Sequence, residues 1–91
     1  MFDDKAVVAV LLPCYNEEIA IEQTIAGFRN ALPGATIYVY DNNSSDRTAE
    51  VARAAGAIVR CERIQGKGAV VRRMFADIDA DVYVMADGDA T

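Results

Sequence analysis

Residues 6–12 read Ala6-Val7-Val8-Ala9-Val10-Leu11-Leu12, and Pro13-Cys14-Tyr15-Asn16-Glu17 follows at once. An unbroken apolar run rich in valine suits a strand covered on both faces, as in a parallel sheet, better than the alternating pattern of a half-exposed strand. Pro13 is expected to end that strand, because it has no N–H to give to a ladder. Asn16 is a good helix N-cap, and Glu17 and Glu18 place acid in a first turn, where the helix dipole favours it.

Beyond this start the period changes. Ile21, Ile25, Phe28 and Leu32 recur as one stripe of a helix, which predicts a helix over 17–32 that Pro33-Gly34 stops. Residues 36–41, Thr-Ile-Tyr-Val-Tyr-Asp, predict a second strand. The polar turn Asn42-Asn43-Ser44-Ser45 follows, with Ser45 as the cap of a helix over 46–55 and Gly56 at its end. A third strand is expected over 57–63. Gly66-Lys67-Gly68 then leads into a helix carrying Val70, Val71, Met74, Phe75 and Ile78, and a fourth strand runs over 81–87. About four strands and three helices in strict alternation predict an α/β fold with right-handed crossovers: three layers, a mostly parallel sheet and helices on both faces.

The 91 residues carry 9 Lys+Arg, 14 Asp+Glu and no His, for a net charge of -5. Without histidine there is no Ser-His-Asp triad, no Cys-His pair and no imidazole metal ligand. The acidic balance argues against a nucleic-acid binder, whose affinity comes largely from clustered Lys and Arg. Cys14 and Cys61 are too few for a structural zinc site or a disulfide framework. Cys14 reads as a packing residue, having no neighbouring histidine to activate it. The longest apolar run is about half of the roughly 20 residues a bilayer span needs. Nor does the acidic start resemble a signal peptide. These features point to the reducing cytoplasm. The chain stops at Thr91, directly after a carboxylate-rich motif, which predicts a larger parent protein.

In a parallel sheet, ligands bind beyond the carboxyl ends of the strands. The informative residues of this chain fall there. Asp87-Gly88-Asp89 sets two mutually repelling carboxylates at a strand tip, where a divalent cation with phosphate oxygens would offset them. The plainer reading is a solvated acidic turn. Asp41 could accept hydrogen bonds from a base or ribose, or could simply open an Asx turn, while Asp46 reads as a helix-start residue. Tyr15 could stack on a base with Glu17 near the ribose. Lys67 could meet a phosphate or be an exposed turn residue; Gly66-Lys67-Gly68 is not a P-loop, lacking G-x-x-x-x-G-K-[ST]. Arg72 and Arg73 read as solvated, and Tyr38, Tyr40 and Tyr83 as sheet packing.

Four segments together carry a resemblance. They are Val10-Leu11-Leu12-Pro13-Cys14-Tyr15-Asn16-Glu17-Glu18, Asp41-Asn42-Asn43-Ser44-Ser45-Asp46-Arg47-Thr48, Gly66-Lys67-Gly68 and Ala86-Asp87-Gly88-Asp89-Ala90-Thr91. In order and spacing the chain resembles the nucleotide-sugar-binding half of family 2 glycosyltransferases of the Rossmann-like GT-A fold, nearest to the polyprenyl-phosphate (dolichyl-phosphate-type) hexose synthases. The resemblance covers residues 6–91. It implies that Pro13, Tyr15 and Glu17 line the base and ribose pocket, that Asp41 hydrogen-bonds the base, and that Lys67 lies near the nucleotide. Asp87 and Asp89 would form the family's D-x-D, with Asp89 the direct metal ligand and Asp87 nearer the ribose. An Mg²⁺ or Mn²⁺ ion would bridge the diphosphate of a UDP- or GDP-sugar. The implied reaction is inverting hexose transfer to an acceptor such as a polyprenyl phosphate, with the parent protein at the cytoplasmic membrane face. Where the family often carries a second acid, this chain has Asn42. The catalytic base is expected beyond Thr91, so the chain by itself would be a single nucleotide-diphospho-sugar-binding (sub)domain, truncated and catalytically incomplete.

Two other readings stand beside this one. Asp87-Gly88-Asp89-Ala90-Thr91 locally resembles the D-x-D-x-T motif of haloacid-dehalogenase-type phosphatases, with Asp87 as nucleophile. A non-catalytic fragment that self-associates through an exposed sheet edge is also consistent with the sequence. A dinucleotide-binding module is disfavoured, because the turn after the first strand lacks G-x-G-x-x-G.

Overall fold

The structure, a computed structural model, describes residues 6–64 and 66–86, with nothing of the Lys67 side chain. Asp87 and Asp89, both predicted site residues, lie outside the described residues.

Seven elements alternate: β1 (Val8–Cys14), α1 (Ile21–Ala31), β2 (Thr36–Asp41), α2 (Thr48–Ala54), β3 (Ile58–Cys61), α3 (Lys67–Asp77) and β4 (Val82–Met85). The strands form one sheet in the order β3-β2-β1-β4, and every pairing is parallel. The α/β sheet expected from the alternation is present.

β1 is central, and its apolar run divides between two cores with period 2. Val10, Leu12 and Cys14 pack with Ile37 and Val39 of β2, Ile21 and Ile25 of α1 and Ala52 of α2. Ala9 and Leu11 face the other way, onto Tyr40 and onto Val70, Met74 and Ile78 of α3 and its end. Both faces of β1 are therefore covered, which is why its sequence does not alternate. The same division satisfies right-handed crossover. From β1 the chain steps to β2 and β3 on one side with α1 and α2 on one face. It then crosses to the far side of β1 with α3 on the opposite face.

Several boundaries differ from the sequence expectation. Pro13 does not end β1, which continues through it to Cys14, with Pro13 in register with Tyr40. The Cys14 carbonyl accepts from Asn42 N–H on the β2 side, and the Leu11 carbonyl accepts from Ala86 N–H on the β4 side. Successive residues address opposite neighbours, so Pro13 turns its missing donor toward β4, whose ladder with β1 ends at Met85 opposite Leu11. The strand loses no bond within that ladder.

Asn16 is not the cap of α1. The helix begins at Ile21, four residues after the expected start, and Ala20 at its N-cap makes no side-chain capping bond. Likewise α2 begins at Thr48 rather than at residue 46, without a Ser45 cap. The residues expected to start both helices are instead engaged between loops, as described next. β3 and β4 are shorter than predicted, four residues each.

Candidate functional site

The carboxyl ends of β1, β2 and β3 lie side by side, with Cys14 opposite Asp41 and Asp41 opposite Cys61. The sheet order reverses direction between β1 and β4, since the first three strands run outward to one side and β4 returns to the other. Such a switch point opens a crevice at the carboxyl edge, where α/β sheets bind ligands.

The β1–α1 loop carries Tyr15 and Glu17, and side chains of the β2–α2 loop hold its backbone. Asn16 adopts φ 54°, left-handed backbone that asparagine tolerates better than most residues. Its N–H donates to Ser44 Oγ at 2.9 Å, and its Oδ1 accepts from Ser45 N–H at 2.9 Å. One residue on, Glu17 N–H donates to Thr48 Oγ1 at 2.8 Å, and Glu18 N–H donates to Asp46 Oδ2 at 3.3 Å. The Thr48 hydroxyl itself donates to Asp46 Oδ1, which also accepts from Thr48 N–H at 2.9 Å. Thr48 is fully buried. These bonds explain the late start of α1. The N–H groups that a helix over 17–32 would leave for a cap are already satisfied from the neighbouring loop.

Asp46 is thus more than a helix-start residue. Partial desolvation works against its charged form, but the Thr48 hydroxyl and the N–H groups of Thr48 and Glu18 outweigh it and hold the carboxyl below its ordinary range. A carboxylate with those partners fastens two loops at once.

Asp41 ends β2 and is buried, at 6% exposure. Its Oδ1 accepts from the Ser44 hydroxyl. The Asp41 carbonyl accepts from Glu62 N–H at 3.0 Å and joins the β3 side to the same edge. Tyr15 stands directly after β1 and is half exposed, as a ring available for stacking must be. Pro13 is half-buried in β1, and Lys67 is the first residue of α3, after the β3–α3 turn. The structure therefore brings Pro13, Tyr15, Glu17 and Asp41 onto adjacent chain ends. Asp87 follows β4 in sequence by two residues.

Sequence reasoning missed Asn42, Ser44 and Thr48 as organisers of this edge, and took Asn16 and Asp46 as local caps. The only available signal was a dense polar run at two strand ends that parallel pairing makes neighbours. Arg73, expected to be solvated, bridges Glu62 at 3.4 Å and Asp77 at 3.2 Å, and Asp77 accepts from the Tyr40 hydroxyl at 2.9 Å. These contacts tie α3 to the sheet behind the edge.

Comparison with known proteins agrees with this geometry. The chain is 57% identical over 84 residues to Protein RfbJ of Shigella flexneri, which covers 92% of this chain and 65% of that protein. It is 34% identical over 89 residues to the dolichol-phosphate mannosyltransferase of Pyrococcus furiosus, covering 90% of this chain and 25% of that enzyme. The chain thus spans less than two thirds of either relative. The crystal structure of Mycobacterium tuberculosis glucosyl-3-phosphoglycerate synthase superposes with a TM-score of 0.84 at 30% identity, covering 93% of this chain and 35% of that one. That enzyme has also been crystallised with Mn²⁺, UDP-glucose and phosphoglyceric acid, and with Mg²⁺ and UDP. These likenesses lend no support to the phosphatase reading of Asp87. The model of the family described as glycosyl transferase family 2 matches residues 9–91. With that match over most of its length, the chain belongs to the family 2 glycosyltransferases.

Proposed function

We propose that this chain is the nucleotide-sugar-binding portion of an inverting, metal-dependent hexosyltransferase that takes its sugar from a UDP- or GDP-sugar. The observation that carries the reading is the fastening of the β1–α1 loop to the β2–α2 loop at the carboxyl edge beside the β1/β4 switch point, in a chain of this family. Pro13, Tyr15 and Glu17 line the base and ribose pocket, Asp41 accepts a hydrogen bond from the base, and Lys67 meets the nucleotide. Among the described residues no group of three His, Cys, Asp or Glu side chains could hold a metal ion. By the resemblance to the family's D-x-D, Asp89 would hold the ion, with Asp87 nearer the ribose. An all-oxygen set of this kind, completed by diphosphate oxygens, fits Mg²⁺ or Mn²⁺. Bound there, the cation would neutralise charge on the departing nucleoside diphosphate.

The acceptor in this reading is a lipid phosphate of the polyprenyl type; the relative named as a dolichol-phosphate mannosyltransferase supports it. The catalytic base belongs to sequence beyond Thr91, and transfer takes place at the cytoplasmic membrane face. No helix among the described residues is long and apolar enough to cross a membrane.

Calorimetric titration of the chain with UDP and GDP, with and without Mn²⁺, tests the reading beside Asp89→Ala. Metal-dependent binding of one nucleotide, lost in the variant, is expected. Failure of either nucleotide to bind a chain that circular dichroism shows to be folded would overturn it.

A further inference from the structure

Asn42 has no role in the nucleotide reading above, yet its side chain is engaged on every atom that can form a hydrogen bond. It is 7% exposed at the end of β2. Its Nδ2 donates to the Glu62 carbonyl at 2.9 Å and to the Ile64 carbonyl at 2.7 Å. Its Oδ1 accepts from Gly66 N–H at 3.1 Å. Two carbonyls that need donors and one N–H that needs an acceptor fix which way the amide points. All three partners belong to the β3–α3 turn. That turn passes through Gly66 at φ 118°, which L side chains rarely adopt, and delivers Lys67 as the first residue of α3.

We propose that Asn42 is a positioning residue: its carboxamide holds the β3–α3 turn in register with the end of β2, and so sets Lys67 at the edge where Asp41 lies. The proposal rests on the nucleotide reading for its consequence, though not for its geometry. Against this turn a carboxylate would still accept from Gly66 but would repel the carbonyl oxygens of Glu62 and Ile64, which the amide satisfies.

The test uses Asn42→Asp and Asn42→Ala, the second removing the side-chain bonds without adding charge in case the first does not fold. Amide hydrogen exchange reads the turn. In Asn42→Ala the Gly66 amide should exchange roughly fivefold faster or more, as loss of a net hydrogen bond of about a kcal/mol implies, while β1 amides keep their protection; in Asn42→Asp, repulsion from the Glu62 and Ile64 carbonyls should displace the turn and speed the same exchange. Titration with the nucleotide that the wild type binds, plus Mn²⁺, reads the consequence. Affinity should fall, and Lys67→Ala should weaken binding in the wild-type background but add little to an Asn42 variant. A merely structural role would leave the Lys67→Ala factor equal in both backgrounds, and that outcome overturns the positioning role. Unchanged Gly66 exchange overturns the clamp itself. If the wild type binds neither nucleotide, the nucleotide reading fails, the positioning role fails with it, and Gly66 exchange alone decides the clamp.

Discussion

At the scale of single residues, Tyr40 shows how a packing residue acquires chemistry. Its ring is fully buried against α3, and its hydroxyl donates to Asp77. Burial, then the hydrogen bond and charge of Asp77, push the phenol from 10.0 up to about 12. The same bond, with Arg73, holds the Asp77 carboxyl below 3.8. The signs give a pH profile. A raised phenol contributes stability in full below pH 10 and loses it as pH rises toward 12. Lowered carboxyls at Asp46 and Asp77 contribute above their ordinary value of 3.8, and that contribution is lost as pH falls through their folded values. Tyr40→Phe is expected to cost about 1 kcal/mol near neutrality, the worth of one hydrogen bond. It should also flatten the alkaline limb of stability measured by urea denaturation. Alkaline limbs of equal slope in the two proteins would refute the assignment. The apolar environment of Tyr40 was legible in the alternation of β2. Its partner was not, because Asp77 lies 37 positions away and meets it only when α3 packs down.

At the scale of elements, two glycines separate backbone demand from helix propensity. Gly56 follows α2 at φ 96°, and a Cβ there would stand 2.7 Å from Arg29 Nη2, which donates to the Ala55 carbonyl. Gly27 lies inside α1, exposed, and a Cβ there meets nothing within 4 Å. Gly56→Ala should therefore destabilise by about 1–2 kcal/mol, the cost of left-handed backbone for an L residue. Gly27→Ala should stabilise by about 0.5–1 kcal/mol. Chemical denaturation of both measures the pair, and effects of like sign would contradict the geometry. Element type was readable from the unbroken apolar run of β1, the alternation of β2 and the helical stripe of α1. Element starts were not. A side chain such as Asn16 or Asp46 is an equally good cap for its own helix or donor–acceptor for a neighbouring loop, and only strand pairing decides which.

At the scale of the molecule, β3 and β4 are the edges of the sheet among the described residues, with Ile58 and Met85 exposed on them. Unpaired edges of this kind invite pairing between chains. The chain should accordingly show a weight-average mass that rises with concentration in sedimentation equilibrium; a monomer at every concentration would dismiss self-association. The residues themselves determined the alternation, the two-faced burial of β1 and the clustering of polar residues at strand ends. Each follows from local period and composition, which a linear chain carries in full. Tertiary structure alone decided that Ser44, Asp46 and Thr48 hold the backbone of residues 16–18, that Asn42 grips the turn before Lys67, and that Pro13 sits harmlessly within a strand. Those outcomes depend on which strand lies beside which and on the side from which β4 returns. Hydrogen bonds between residues 20 to 31 positions apart are set by that order and not by the local sequence at either end.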